Sequence, residues 1–290
     1  METITPIIAT RSRGEAMDWS LVLASQGIAA TILHTEDTWG LAVEENDLDR
    51  AQASLRQYRH ENRGWRWKQR LPGSGVLFHW GSLLWVAAMG GLYYWTMVRF
   101  PNLQTIGLMD SAAVRRGEWW RLFTAVTLHA DLPHLAGNAG AGALLLGLAM
   151  ARYGYGVALL AAFLAGVAGN VAGLFLFHDH RQSLGASGMV MAALGLLAVQ
   201  SLGLWRRFRP GQQILIRSTM AASLLLILLG FSPGTDIVAH VGGFAAGAIL
   251  GFALNYAPPP LLHKQGVNLA SILLLLAMVF VTWRQAIIGP

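Results

Sequence analysis

Long apolar segments separated by short polar ones dominate the chain from residue 76 onward. The hydrocarbon core of a bilayer is about 30 Å thick, so a helix that crosses it needs about 20 predominantly apolar residues. By this criterion the sequence predicts seven transmembrane helices, over residues 76–98, 133–151, 155–177, 185–205, 216–232, 236–256 and 267–285. This pattern is typical of an all-α polytopic membrane protein.

The first 62 residues follow a different pattern, in which strand-like and helix-like periodicities alternate over short distances. They predict a strand, a helix, two strands and a second helix, over residues 3–10, 14–25, 28–34, 39–43 and 47–59. The order βαββα indicates a small soluble α+β domain over residues 1–62, of a size that is marginally stable alone. A basic linker that contains tryptophan, residues 63–75, joins it to the first apolar segment.

Composition agrees with a membrane protein and excludes several other classes. Hydrophobic residues make up 54% of the 290 residues and charged residues only 12%, against about 25% charged residues in an average soluble domain. An ordinary soluble enzyme and a disordered chain are both excluded on this ground. The absence of cysteine excludes disulfides, thiolate metal sites and a cysteine nucleophile.

Positive charge lies in the loops of the apolar part, which carries a net charge of +7 against −1 for residues 1–70. This distribution is typical of membrane topology signals rather than of a nucleic-acid surface. With the N-terminus in the cytoplasm, inner segments carry ten Lys and Arg residues and outer segments six. We therefore expect a cytoplasmic N-terminus, an outer first loop over residues 99–132, no cleavable signal peptide, and a bacterial inner membrane location.

Polar side chains within the apolar segments are the main candidates for a functional site, because each is costly there unless it is paired. His134 and Asn138 are four residues apart, so they project from the same face of a helix. Two hydrogen-bonding groups are thereby directed at one point. Hydrogen bonding between neighbouring helices is the alternative interpretation of this pair.

Two further polar residues stand beside glycines. Ser187 lies between glycines at the start of the fourth segment, which lets a substrate or another backbone approach it closely. His240 lies one turn before Gly243 and Gly247, a small-xxx-small ridge that permits tight helix contact. Helix packing alone is the alternative for both places.

Taken together, these residues supply the parts of an acyl-transfer site. Ser187 requires a general base, and His240 supplies one. Acyl transfer also requires donors at the developing oxyanion, for which His134, Asn138 and the Ser187 N–H are candidates. Because Asp236 lies only at the edge of its segment, the sequence predicts a Ser–His dyad rather than a triad.

In combination, the residues resemble the motifs of rhomboid intramembrane serine proteases. The resemblance covers about residues 76–256, the rhomboid-like six-helix core, and leaves residues 257–290 as a linker and a seventh transmembrane helix. The matching positions are Trp120 and Arg121 in the first loop, His129, His134 and Asn138 at the second helix, Gly185, Ser187 and Gly188 at the fourth, and His240, Gly243 and Gly247 in the sixth. All four motifs stand in the family's order and on the corresponding segments.

The resemblance implies a serine endopeptidase that cleaves transmembrane segments of membrane proteins without a cofactor or a metal ion. It assigns Ser187 as nucleophile and His240 as general base, with His134, Asn138 and the Ser187 amide as oxyanion hole. The remaining motif residues are implied to be structural: Trp120, Arg121, His129, Gly185, Gly188, Gly243 and Gly247. The expected partners are transmembrane substrates and membrane lipid, with no nucleic acid, and the oligomeric state stays open.

One position departs from the family pattern. Four residues after the nucleophile the family often has an aromatic residue that stacks on the catalytic histidine, whereas this chain has Met191. A catalytically inactive rhomboid-like protein that binds transmembrane clients is therefore the alternative, although Ser187 and His240 argue against it. A transporter is disfavoured because the sequence shows no internal repeat and almost no intramembrane carboxylate. The absent His-Glu-x-x-His motif excludes an intramembrane metalloprotease of that type.

Overall fold

The computed structural model describes residues 7–10, 12–35, 38–62, 77–176, 180–200, 211–230 and 235–289. The chain divides into two compact units, residues 1–75 and residues 76–290. Each unit has its own cluster of buried hydrophobic side chains. The predicted linker over residues 63–75 lies outside the described residues.

The first unit is a three-stranded antiparallel sheet with two helices. Its elements are β1 (Ile7–Thr10), α1 (Arg13–Ser25), β2 (Ala30–Thr35), β3 (Thr38–Val43) and α2 (Leu48–Glu61). The strand order is β1-β3-β2, so that Leu41 of the central strand pairs with Ile8 on one side and Ile32 on the other. The Ser12 side chain accepts a hydrogen bond from the Glu15 N–H and caps the start of α1.

The second unit is mostly helical. Before its first long helix it has α3 (Gly81–Tyr93), a π-helical segment (Tyr94–Arg99), α4 (Asn102–Gly107), β4 (Met109–Asp110), α5 (Ser111–Arg115) and α6 (Arg121–Thr124). The first two long helices are α7 (Leu132–Tyr153) and α8 (Tyr155–Leu176). They are followed by β5 (Gln182–Ser183), α9 (Ser187–Ala198), α10 (Gly211–Gly230), α11 (Ile237–Leu254), α12 (Pro259–Leu262) and α13 (Gln265–Ile288). Within the described part of the chain, α7, α8, α11 and α13 are long and apolar enough to cross a membrane.

Some of the seven predicted segments match one long helix each, and others match shorter or divided helices. The predicted helices over 133–151, 155–177, 236–256 and 267–285 correspond to the four long ones. The segment over 76–98 is divided into α3 and the π-helical turn, and that over 185–205 begins with the 12-residue α9. The seven-helix count therefore stays a prediction.

Helix α9 lies at the centre of the second unit, and every residue from Gly188 to Ala198 is buried. It packs against α11 through glycines. A Cβ atom on Gly243, Gly247 or Gly251 of α11 would meet the α9 backbone at Gly188, Ala192 and Leu196, respectively. Helix α11 therefore presents one glycine per turn to α9, which allows the two backbones to approach closely.

Helix α13 is joined to the rest of this unit by hydrogen bonds at both of its ends. Asn268, which is fully buried, accepts the Gly156 N–H at 2.7 Å and donates to the Leu262 carbonyl at 2.7 Å. At the other end, the Trp283 Nε1–H donates to the Thr127 hydroxyl at 3.1 Å. The helix thus contacts both the start of α8 and the first loop.

Candidate active site

Arg121 stabilises the first loop by hydrogen bonds to other parts of the same loop. Its Nε lies 2.7 Å from a Glu118 carboxylate oxygen, and its Nη1 donates to the carbonyls of Thr105 and Leu108, both at 2.9 Å. The guanidinium presents several donors in a rigid, planar arrangement. One side chain therefore binds the Glu118 carboxylate and two backbone carbonyls at the same time. Trp120 is buried beside it, and its Nε1 has no hydrogen-bond partner among the described residues.

His129 is completely buried at the end of the first loop, and neither ring nitrogen has a hydrogen-bond partner among the described residues. Its ring lies edge-on to that of His134, with centroids 5.4 Å apart. Burial, and secondly the neighbouring His134 imidazole, lower the pKa of His129 from 6.5 to about 4. The folded protein therefore holds His129 neutral.

This burial predicts that the protein loses stability as the pH falls. Between pH 6.5 and about 4 the unfolded chain binds a proton at His129 that the folded chain does not. The free energy of unfolding should therefore decrease as the pH falls through this window, by about 3 kcal/mol in total. Unfolding of the full chain in mixed micelles at a series of pH values measures the effect.

The matched control separates His129 from the other histidines. We expect His129→Phe to remove most of this pH dependence, whereas His60→Gln, at an exposed position of α2, should keep it. An unchanged pH dependence in His129→Phe would contradict the assignment.

The start of α7 positions two of the predicted site residues. Asp131 precedes the helix, and its carboxylate accepts the His134 N–H at 2.7 Å, which fixes where the helix begins. His134 then lies in the first turn and Asn138 one turn later. Asn138 is buried with 8% exposure, and its Nδ2 has no hydrogen-bond partner among the described residues. A buried amide of this kind is an available donor.

Gly185 brings the start of α7 next to the predicted nucleophile. It has a φ of +135°, which favours glycine, and its N–H donates to the Ala125 carbonyl at 2.9 Å. A Cβ atom at this position would lie 2.7 Å from the His134 Nε2 and 3.6 Å from the Ser187 Oγ. The glycine therefore leaves room for the His134 imidazole beside the Ser187 hydroxyl.

Ser187 is the first residue of α9, directly after Ala186. The first N–H groups of a helix have no partner within it and carry the positive end of the helix dipole. Ser187 is half-buried, whereas the rest of the helix is buried. A partly accessible hydroxyl thus stands at a helix end that favours negative charge.

His240 lies in the first turn of α11 with 3% exposure. Asp236 caps this helix by accepting the Ala239 N–H at 3.1 Å. One turn later, Gly243 contacts the backbone of Gly188, the residue that follows Ser187. This contact between the two helices therefore sets the position of His240 along α11 relative to that of Ser187 on α9.

A cavity of about 800 Å³ brings the predicted catalytic residues together. Ser187, His240, His134 and Asn138 all line it. Three helices, α7, α9 and α11, thus begin at this cavity. Two of the predicted structural glycines, Gly185 and Gly188, also line it, whereas Trp120, Arg121, His129, Gly243 and Gly247 do not belong to its lining.

The cavity wall includes polar residues to which the sequence analysis assigned no role in the site. Arg181 and Gln182 line it from the segment before α9, and Asp236 lines it at the start of α11. No recognisable motif spacing marks Arg181 or Gln182 in the sequence. Met191 also lines the cavity, one turn after Ser187, and is buried with 3% exposure.

The arrangement contains the groups that acyl transfer requires. A hydroxyl, an imidazole and two side-chain donors face one space, and the helix end adds backbone donors. Both polar and apolar groups line the cavity.

Comparison with known proteins yields one family. The Rhomboid domain model matches residues 116–257. The Rhomboid protease GluP of Bacillus subtilis is 33% identical over 183 residues, which are 61% of this chain and 34% of that protein. The RHOMBOID-like protein 5 of Arabidopsis thaliana is 30% identical over 166 residues, 54% of this chain and 51% of that protein.

A third relative is more distant. The Rhomboid-like protease 2 of Toxoplasma gondii is 28% identical over 159 residues, 53% of this chain and 56% of that protein. The matched parts therefore span between about a third and just over half of the length of these relatives.

Proposed function

Because this chain is a multi-pass membrane protein of the rhomboid family, we propose that it is an intramembrane serine endopeptidase that cleaves transmembrane segments of other membrane proteins. One observation carries the proposal: Ser187, His240, His134 and Asn138 line the same cavity.

The proposed reaction begins with the Ser187 hydroxyl. Its Oγ attacks the scissile carbonyl carbon while His240 accepts the hydroxyl proton as general base. His240 then returns this proton to the leaving amine, which departs with the C-terminal fragment. The acyl-enzyme that remains is hydrolysed by a water molecule, whose proton passes through His240 back to Ser187.

Negative charge develops on the carbonyl oxygen in both tetrahedral intermediates. The proposed oxyanion hole consists of the Ser187 N–H, the Asn138 amide and the His134 imidazole. This assignment is supported by the Asn138 Nδ2, which has no hydrogen-bond partner in the described part of the chain, and by the proximity of His134 to Gly185. Donors that are fixed before the reaction stabilise the charge without reorganisation.

No carboxylate is proposed to orient His240. The carboxylate of Asp236 caps α11, and its bonded partner is a backbone N–H. The contact of Gly243 with Gly188 supports an orientation set by helix packing instead. The proposal is therefore a two-residue dyad whose geometry depends on glycine.

The proposal also includes a membrane setting, which the apolar segments and the charges of their loops support. We propose a six-helix core with a seventh helix, a cytoplasmic N-terminal domain, and a cavity that opens to the outer side of the inner membrane and admits water. The amides of a substrate helix are hidden by its own hydrogen bonds, so local unwinding must precede attack. Helix-weakening residues near the cleaved bond should therefore be favoured.

The experiment is a cleavage assay with the full chain in proteoliposomes. The substrate is a single-span reporter protein with a Gly-Ala pair near the outer end of its span. We expect two fragments whose masses place the cut in or beside that span. A reporter that stays intact but remains bound to the chain would instead favour the inactive, client-binding alternative.

A further inference from the structure

Two short strands join the first loop to the segment that precedes Ser187. Strand β4 pairs antiparallel with β5, and the partners are Met109 with Ser183 and Asp110 with Gln182. The neighbouring residues extend this contact. The Ser111 N–H donates to the Arg181 carbonyl at 2.9 Å, and the Arg181 N–H donates to the Ser111 hydroxyl at 3.0 Å.

Asp110 is the side chain on which this contact centres. One carboxylate oxygen accepts the Ala113 N–H at 2.9 Å, at the start of α5. The other lies 2.8 Å from the Gln182 Nε2 and 2.9 Å from the His180 Nε2. Partial burial acts to raise the pKa of Asp110, but the hydrogen bonds from Gln182, Ala113 and His180 outweigh it and hold the pKa well below its usual range. An ionised acceptor therefore joins the two segments.

Strand β5 continues directly into the candidate active site. Residues from Arg181 to Gly185 line the cavity, and Gly185 is held to Ala125 by its N–H. Four residues separate Gln182 from Ser187, and two of them, Gly185 and Ala186, are fixed by backbone conformation and burial. A displacement of β5 is therefore transmitted to the start of α9 over a short, constrained path.

We infer that Asp110 is a positioning residue for Ser187: by fixing β5 against the first loop, it sets the place of the serine and of its backbone N–H in the cavity. This inference rests on the proposed function, since it assigns Asp110 to the same site. Asp110 does not touch the substrate, so its effect is on the rate of attack rather than on binding.

The first test is the kinetics of fluorophosphonate labelling. We expect Asp110→Ala to lower the maximal labelling rate constant of Ser187 about 10-fold, as small displacements of reacting groups do. The probe concentration that gives half the maximal rate should stay unchanged. Asn102→Ala, at an exposed position of the same loop outside the β4–β5 pair, should label at the wild-type rate.

The second test replaces the hydrogen bonds by a covalent bond, and it separates positioning from general destabilisation. The natural chain has no cysteine, and paired residues of antiparallel strands lie at the Cα distances that disulfides accept. The double variant Asp110→Cys/Gln182→Cys should label slowly when reduced and return to within about 2-fold of the wild-type rate when oxidised.

The outcomes distinguish the two proposals. Wild-type labelling rates in Asp110→Ala and in the reduced double variant would overturn the positioning role and leave the proposed function intact. Slow labelling in both the reduced and the oxidised double variant would also overturn it. A folded wild-type protein that neither labels nor cleaves would instead refute the proposed function itself.

Discussion

Ser187→Ala should reduce cleavage of a transmembrane reporter by at least about 1,000-fold, because no acyl-enzyme can form without the hydroxyl. The substitution removes one oxygen atom from a half-buried residue at the start of α9 and leaves the glycine contacts around it unchanged. We therefore expect an unfolding free energy within about 0.5 kcal/mol of the wild type. Reporter cleavage and unfolding are measured on the same preparation.

Binding provides the control for this variant. An intact reporter should still associate with Ser187→Ala as it does with the wild type, since the cavity keeps its other lining residues. Substantial residual cleavage by a folded Ser187→Ala protein would mean that another group is the nucleophile.

Gly243→Ala is the second substitution with a large expected effect. A Cβ atom at this position would overlap the Gly188 carbonyl, which is backbone and cannot rotate away. Helices α9 and α11 must therefore separate at the level of Ser187 and His240. We expect the unfolding free energy to fall by about 1–3 kcal/mol and the cleavage rate to fall by about 100-fold.

The matched control is the same substitution at Gly140. This glycine lies inside α7, and a Cβ atom there would meet no atom of the described residues within 4 Å. Alanine in a helix interior is more favourable than glycine by about 0.5–1 kcal/mol. Gly140→Ala should therefore keep or raise stability and keep activity. Equal effects at Gly140 and Gly243 would contradict the role assigned to the close helix contact.

Helical periodicity in the first 62 residues and the length of apolar segments in the rest were sufficient to place several helices. The helix predicted over residues 14–25 lies at Arg13–Ser25, and that predicted over 133–151 lies at Leu132–Tyr153. These patterns did not predict where a helix ends when apolar residues continue past that end. Apolar residues continue beyond Ala198, where α9 ends, so the sequence predicted a single longer segment over 185–205. Residues 201–210 lie outside the described part of the chain.

Part of the candidate site could likewise be predicted from the sequence, and part could not. The i, i+4 pair of His134 and Asn138, and the glycines beside Ser187 and His240, are local patterns, so their juxtaposition could be anticipated. The contact of Asp110 with Gln182 joins residues that lie 72 positions apart. No local signal marks such a pair, because α4, α5, α6 and the two strands are too short to show a period.

Labelling of the purified full chain with a fluorophosphonate tests most directly whether Ser187 is a nucleophile activated by His240. The account predicts that the folded wild type is labelled, that peptide mass mapping places the adduct on Ser187, and that His240→Ala lowers the labelling rate by at least about 1,000-fold. Labelling of Ser187 at the same rate in the wild type and in a folded His240→Ala protein would contradict it, as would a folded wild type that neither labels nor cleaves the reporter.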